Sequence, residues 1–321
     1  MRIEFLLASV AAAMGASPVL AQTYPEKPIR IVSPFTPGGG TDLMGRLIGQ
    51  QLTKSWGQQV VIENRAGANG MLGSEFVAKS APDGYTLLVG TMGTHGINAS
   101  LYRKMPYDAI ADFTPITTLI TSPMLLLVHP SIPARSVADF VALAKARPGQ
   151  ITFSSAGTGS VGHLAGELFN FVAHVKIVHI PYRGSGPATI DLMSGQVQSM
   201  LGSPAAALNY VKSGRVRALA QTSLKRSALI PDIPTLYESG LKDYDVTTWY
   251  GFWGPPRLPS AIVQRLHGEV VRMLALPETR QQLTTQGLEP LGNTPDEFAL
   301  LVKAELAKWA RVAANAGIAP E

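Results

Sequence analysis

Along the chain, short apolar runs of strand length alternate with segments whose apolar residues recur every three or four positions. Ile29-Arg30-Ile31-Val32-Ser33 reads as a strand, and after a glycine-rich turn Leu43, Leu47, Ile48 and Leu52 fall on one helical face. Val60-Val61-Ile62 and Tyr85 to Val89 predict further strands, with a helix over Gly70 to Lys79 and a turn at Pro82-Asp83-Gly84 between them. Pro123 to Val128 and Ile151 to Ser155 predict strands separated by a helix over Val137 to Ala146 that stops at Pro148-Gly149. Then come a helix over Val161 to Val172, a strand over Ile177 to Ile180, a helix over Pro187 to Met193 and a strand over Val216 to Thr222. Two long helical patterns, Ala261 to Leu276 and Pro295 to Ala314, close the chain. Strands separated by helices of this length predict parallel sheets covered on both faces. A chain of 321 residues is more than one such sheet needs, so two α/β domains are expected.

The first 21 residues stand apart from this pattern. Arg2 precedes an apolar stretch from Phe5 to Val19, and Val19-Leu20-Ala21 supplies small residues at a cleavage site. This predicts an export signal cut after Ala21 and a soluble mature protein, periplasmic in a two-membrane host. The chain has no cysteine, which excludes disulfides, thiolate metal sites and cysteine nucleophiles. Its net charge is +5, but no run of Lys or Arg exceeds two residues, which argues against a nucleic-acid partner.

The candidate chemistry lies in an internal echo. Ser33, Gly38, Leu43, Gly45 and Leu47 match Ser154, Gly159, Leu164, Gly166 and Leu168 at a constant offset of 121 residues. Each unit is strand, glycine loop, helix. Glycine lets backbone N–H groups approach a ligand, and the helix N-terminus adds unpaired donors and a partial positive charge. Each unit is therefore a plausible anion cradle, one per domain; the alternative is that the glycines only make tight turns. Neither loop carries Lys or Arg between Ile31 and Gly45 or between Ile151 and Phe171.

These residues resemble the substrate-binding proteins of tripartite tricarboxylate transporters, also called the Bug family. The resemblance runs over essentially the whole mature chain: YPEKPIRIVSPFTPGGGTD, VIENRAGANGMLGSEFVAKSAPDGYTLLVG, SSAGTGSVGHLAGELF, HIPYRGSGPATIDLMSGQV, VRALAQTSLKRSALIPDIPTLYESGL and TTWYGFWGPP. It implies a type II periplasmic-binding-protein-like (Venus-flytrap) fold: two α/β domains with mixed, mostly parallel sheets and crossover segments near Thr121–Leu127 and Val246–Phe252. Residues 22–122 with 250–321 would form domain 1, and 123–249 domain 2. It also implies a monomer without cofactor or enzymatic activity that passes a small carboxylate to membrane transporter subunits. Carried over by position, domain 1 would contribute Phe35, Gly38, Gly39, Gly40 and Thr41, with Thr91, Thr94 and His95 beside them. Domain 2 would contribute Ser155, Thr158, Gly159, Ser160, Tyr182, Arg183, Gly184 and Ser203. Asp42 is expected to cap its helix and His163 to pack, while Trp249 and Tyr250 suit either hinge packing or a cleft wall. Relatives often carry Asp near Gln198 and Asp or Asn near Ser203; the absence of an acidic side chain here argues for a carboxylate without an ammonium group.

Other readings are weaker. Gly157-Thr-Gly159-Ser-Val-Gly162 matches the dinucleotide fingerprint, yet the acidic residue expected about 20 positions on is replaced by the Tyr182-Arg183 region. Ser160 lacks the first glycine of a nucleophile elbow, and His163 on the same helix does not make a triad. The six histidines show no metal-ligand spacing, and no glycine loop ends in GK[ST]. A sensing role in place of uptake stays open on sequence alone.

Overall fold

A computed structural model describes residues 24–318 and 320, so the expected export signal lies outside the described residues. The order begins with β1 (Ile29–Ser33), α1 (Gly40–Trp56), β2 (Val60–Asn64), α2 (Met71–Ala78) and β3 (Thr86–Thr91). A wide helical turn at Gly93–Ile97 and the short α3 (Asn98–Leu101) lead to β4 (Thr114–Pro123) and β5 (Leu125–Val128). The middle comprises α4 (Val137–Ala146), β6 (Thr152–Ser155), α5 (Val161–Ala173), β7 (Val178–Pro181), α6 (Ser185–Met193), β8 (Ser199–Gly202), α7 (Pro204–Lys212) and β9 (Arg217–Gln221). The last elements are β10 (Thr247–Gly254), α8 (Ser260–Ala275), α9 (Pro277–Thr285), β11 (Glu289–Pro290) and α10 (Pro295–Asn315). Among the described residues no helix is long and apolar enough to cross a membrane.

The strands form two sheets, ordered β11-β4-β10-β3-β1-β2 and β7-β6-β8-β5-β9. Among the named strands, parallel pairing joins β1 to β2 and β3, and β6 to β7 and β8. The strands next to the crossovers pair antiparallel, which makes parallel pairing a smaller share than the strand–helix alternation suggests. The chain leaves the first sheet at Met124, between β4 and β5, and rejoins it at β10. The return passage therefore precedes most of the expected Val246–Phe252 segment: Trp249 and Tyr250 already pair with Thr121 and Ile120 in the first sheet. Buried Thr222 ties the two passages together. Its hydroxyl accepts from Met124 N at 2.7 Å and donates to Val246 O at 2.5 Å.

The echoed units hold equivalent places. β1 lies between β2 and β3, and β6 between β7 and β8. Gly38 and Gly159 both take left-handed φ, +84° and +76°. Gly45 and Gly166 serve packing: a Cβ on Gly45 would touch Ile31 and Ile62, and one on Gly166 would sit 2.1 Å from the Phe153 ring. Missing side chains thus let each helix lie close on its own sheet. α10 packs against β4, α3 and α5 and buries Phe298, Val302 and Trp309, so it contacts elements beside both sheets. Phe298 stacks at a tilt on Trp253 (4.6 Å) and edge-on to Trp249 (5.8 Å), the geometry aromatic pairs prefer.

Candidate functional site

The loops that follow β1, β3, β6, β7 and β8 all leave the carboxyl ends of strands, where open α/β sheets bind ligands. In the first set, Gly39 precedes α1 with no side-chain cap, so its first-turn amides are left for a ligand or solvent. Asp42 is buried and spends its charge within the protein. One oxygen accepts from Gly38 N (3.1 Å) and Arg46 Nε (2.9 Å), and the other accepts from Arg46 Nη2 (3.1 Å). The Arg46 hydrogen bonds hold its carboxyl below the usual aspartate range. Thr41 is likewise enclosed and shares a 2.8 Å hydrogen bond with Ser33. Phe35, Gly70 and Thr94 meet: a Cβ on Gly70 would lie 2.6 Å from the Thr94 methyl and 3.1 Å from the Phe35 ring. Asn64 fixes this corner by donating to Phe35 O at 3.0 Å.

Two expected contacts of this set are core residues. His95 has no exposed surface and stacks on Trp253 at 4.0 Å, edge-on to Phe113 at 4.5 Å. Burial pushes its imidazole down to about 3, so it is neutral, with Nδ1 bonded to Thr94 Oγ1 at 2.8 Å. Thr94 is 1% exposed and its hydroxyl is taken by the Thr91 backbone and His95. The apolar turn after β3 swallows both, which leaves half-buried Thr91 and Gly93 as the accessible part.

Residues that the sequence reading passed over stand here instead. Gly67, Ala68, Asn69 and Gly70 all have positive φ, a strained run for Ala68 (46°) and Asn69 (52°). Asn69 is exposed and held by Asn98, which accepts from its amide at 2.8 Å and donates to its carbonyl at 3.1 Å. The RAGANG run with its two glycines was the available signal. Tyr250, for which the sequence allowed either hinge packing or a cleft wall, joins them: a Cβ on Gly40 would lie 2.4 Å from its ring and 2.6 Å from its hydroxyl, so the phenol covers the N-terminus of α1.

In the second set the glycine loop is bonded inward. Ser155 is fully buried; its hydroxyl pairs with His179 Nε2 at 2.6 Å and with the Gly157 backbone. Gly159 is buried and donates its N–H to His163 Nδ1 at 3.1 Å, and Gly184 donates to Ala156 O at 3.1 Å. Ser160 caps α5 by accepting from His163 N at 3.3 Å. Tyr182 donates to Asp191 at 2.6 Å, and burial with that carboxylate pushes its phenol up to about 12. These groups were expected to face a ligand, and the loop's own hydrogen-bonding requirements claim them instead. Accessible in this set are Thr158, Arg183 and Ser203, all exposed. Ser203 and Gly184 precede α7 and α6 without a side-chain cap hydrogen bond. The two sets touch where a Cβ on Gly159 would lie 2.6 Å from Leu101 of α3.

Gln198 lies away from the glycine loops. Its side-chain oxygen accepts from the Thr152 amide and hydroxyl at the start of β6, the end opposite the glycine loop. Its neutrality says nothing about a ligand ammonium, and of the two positions only exposed Ser203 bears on one. Among the described residues no cluster of three or more His, Asp or Glu is arranged to hold a metal. Pronounced surface hollows lie elsewhere, one of about 440 Å³ beside α1 and β2 and one of about 340 Å³ between α5 and α10.

Comparison with known proteins places this geometry. The model of the tripartite tricarboxylate transporter family receptor matches residues 44–318. BugT of Bordetella pertussis is 36% identical over 309 residues, 96% of this chain and 95% of that protein. The solved structure of R. palustris Rpa4515 with adipate is 38% identical, with a TM-score of 0.80 over 93% of this chain and 100% of that one. MatC (Rpa3494) from Rhodopseudomonas palustris with bound malate is 35% identical, with a TM-score of 0.75 over 90% and 99% of the two chains. Two sheets joined by two passages, with glycine loops where they meet, are thus the architecture of a solute-binding protein, and the chain belongs to the tripartite tricarboxylate transporter receptor family.

Proposed function

We propose that this protein is a periplasmic receptor that captures a small carboxylate, a di- or tricarboxylate or an aromatic acid, between its two domains. It would hand the ligand to membrane subunits of a tripartite tricarboxylate-type transporter, acting as a monomer and without catalysis. The observation that carries the reading is that α1, α6 and α7 begin at strand carboxyl ends with no side-chain cap. Helix N-termini of this kind favour anions through free N–H groups and the helix dipole. Adipate and malate in the solved relatives support the ligand class. Hydrogen bonds to a charged group contribute about 1.5–3 kcal/mol each, and micromolar binding needs roughly 8 kcal/mol. A handful of amide and hydroxyl contacts therefore suffices without a buried Arg.

The accessible groups proposed to meet the ligand are Gly38, Gly39, Gly40, Thr91, Thr158, Arg183 and Ser203, together with Asn69 and Tyr250. The test is a thermal-shift screen of the mature protein against carboxylates, amino acids and sugars. A binder at a thousandfold excess over Kd stabilises by about 4 kcal/mol. The reading expects a shift with one or more acids; a shift with a sugar or amino acid and none with any acid refutes it.

A further inference from the structure

Beneath the second glycine loop lies a polar cluster that ligand contact does not explain. His163, one turn into α5, and His179 of β7 stack face to face with ring centroids 3.9 Å apart and planes 19° apart. His179 Nε2 pairs with Ser155 Oγ at 2.6 Å. His163 Nδ1 accepts the Gly159 N–H at 3.1 Å, so that nitrogen carries no proton and the amide is committed to the ring. His163 Nε2 lies 3.9 Å from Glu167 Oε1, and Asn170 donates to the other Glu167 oxygen at 3.2 Å.

We propose that His163 is a positioning residue that couples capture of an anion to uptake of a proton. Protonation of Nδ1 replaces an acceptor with a donor below Gly159. The Gly159 N–H then loses its inward partner and becomes free for an anion at the N-terminus of α5. The anion in turn favours the charged ring, so ligand and proton bind together. Of the two rings His163 takes the proton, because Glu167 faces its Nε2 whereas the neutral Ser155 hydroxyl faces that of His179. Two like charges at this separation repel, so His179 stays neutral. Burial already holds His163 below its ordinary range, and burial together with His163 holds His179 down to about 4.

Tyr244 meets α5 two residues beyond His163, where its hydroxyl donates to Ala165 O at 2.8 Å. β6 faces it with Ser155 and with Phe153, whose ring lies 5.0 Å from His179. β8 approaches the start of α5 through the Leu201 carbonyl, and α3 through Leu101. The charges that α10 brings to α5, Lys308 and Arg311, gather with Leu168, Phe171 and Val172, more than a turn beyond His163. Arg183, after β7, is exposed.

The inference rests on the carboxylate reading, so the experiment has two arms. In the ligand-free protein, NMR titration from pH 8.5 to 5 is expected to move the Gly159 amide in step with the His163 ring. In the second arm, adipate and malate are titrated calorimetrically between pH 8.5 and 6 in two buffers of different ionisation enthalpy. Binding is expected to take up a fraction of a proton and to tighten about 5- to 10-fold toward pH 6. His163→Asn, whose amide oxygen can accept from Gly159 but cannot be protonated, is expected to bind without proton uptake. Binding with no uptake in the native protein, or equal uptake in the variant, overturns the coupling while leaving the carboxylate reading intact. A Gly159 amide that ignores His163 overturns the positioning role. Absence of binding by either acid at every pH, with the Gly159 response intact, overturns adipate and malate as ligands and the ligand half of the coupling with them.

Discussion

Gly40→Ala tests the arrangement at the start of α1 most directly. The backbone there is helical, so alanine meets no conformational barrier, and in an exposed helix it would stabilise by up to about 1 kcal/mol. Here its methyl would stand 2.4 Å from Tyr250 Cε2 and 2.6 Å from the Tyr250 hydroxyl. Contacts that short force the half-buried phenol to move, at a cost of about 1–3 kcal/mol. The net expectation is a loss of about 0–2 kcal/mol, read as a lower urea midpoint with unchanged slope. Tyr250→Leu removes the ring edge, so Gly40→Ala in that background should be neutral or stabilising. The double-mutant cycle should then show a coupling of at least about 1 kcal/mol. Because the displaced ring also covers the first-turn amides, Gly40→Ala is expected to weaken carboxylate binding about tenfold, the equivalent of one charged hydrogen bond. A variant as stable as the parent with no coupling to Tyr250 would refute the packing, and unchanged affinity would refute a role for the α1 N-terminus.

Three further outcomes follow from buried groups. Gly166→Ala drives a methyl to 2.1 Å from the buried Phe153 ring and should destabilise by about 1–3 kcal/mol, with a fall in melting temperature by calorimetry. His95→Phe should flatten the acid side of the stability profile. Native His95 stays neutral to about pH 3 while the unfolded chain takes up a proton below about pH 6.5, so stability rises with pH across that window. The slope lost on substitution is roughly 1.4 kcal/mol per pH unit, measured by urea melts at pH 6 and 4.5. Asp42→Asn should act on a lower window: the depressed carboxyl contributes stability above the unfolded value near pH 4 that disappears as pH falls through the folded one, so the variant should lose less between pH 5 and 3.

Much of the fold was legible because its central strands and helices carry clean periodicity. β1, β3, β6 and α5 lie where the apolar pattern placed them, and the echo of Gly38 and Gly45 in Gly159 and Gly166 marked two equivalent units. β4, β8 and β10 escaped notice. Thr114–Pro123 is rich in threonine and holds two prolines, and Thr247–Gly254 mixes aromatic residues with glycine, so neither shows strict alternation. Their burial comes from pairing with each other across the sequence, which local patterning does not record. The site was legible in its loops but not in its atoms. Glycine-rich sequence announces where amides are available, whereas the partner of each amide depends on side chains such as His163 and Asp42 folding back beneath it. Ser155, Gly159 and His95 share the chemistry of ligand contacts and differ from them only in the direction they face.

The contact between Leu101 and Gly159 has a mechanical consequence. Leu101 is 7% exposed, and part of that burial comes from seating on a residue with no side chain. Pulling the two halves of the molecule apart would wet this leucine, at a cost of at most about 1.5–3 kcal/mol. Taken alone, a contact of that size yields readily to thermal motion, so at this point of the molecule the contacts made by whatever enters can shift the balance between ajar and shut. Any larger side chain at position 159 would be a wedge in the doorway.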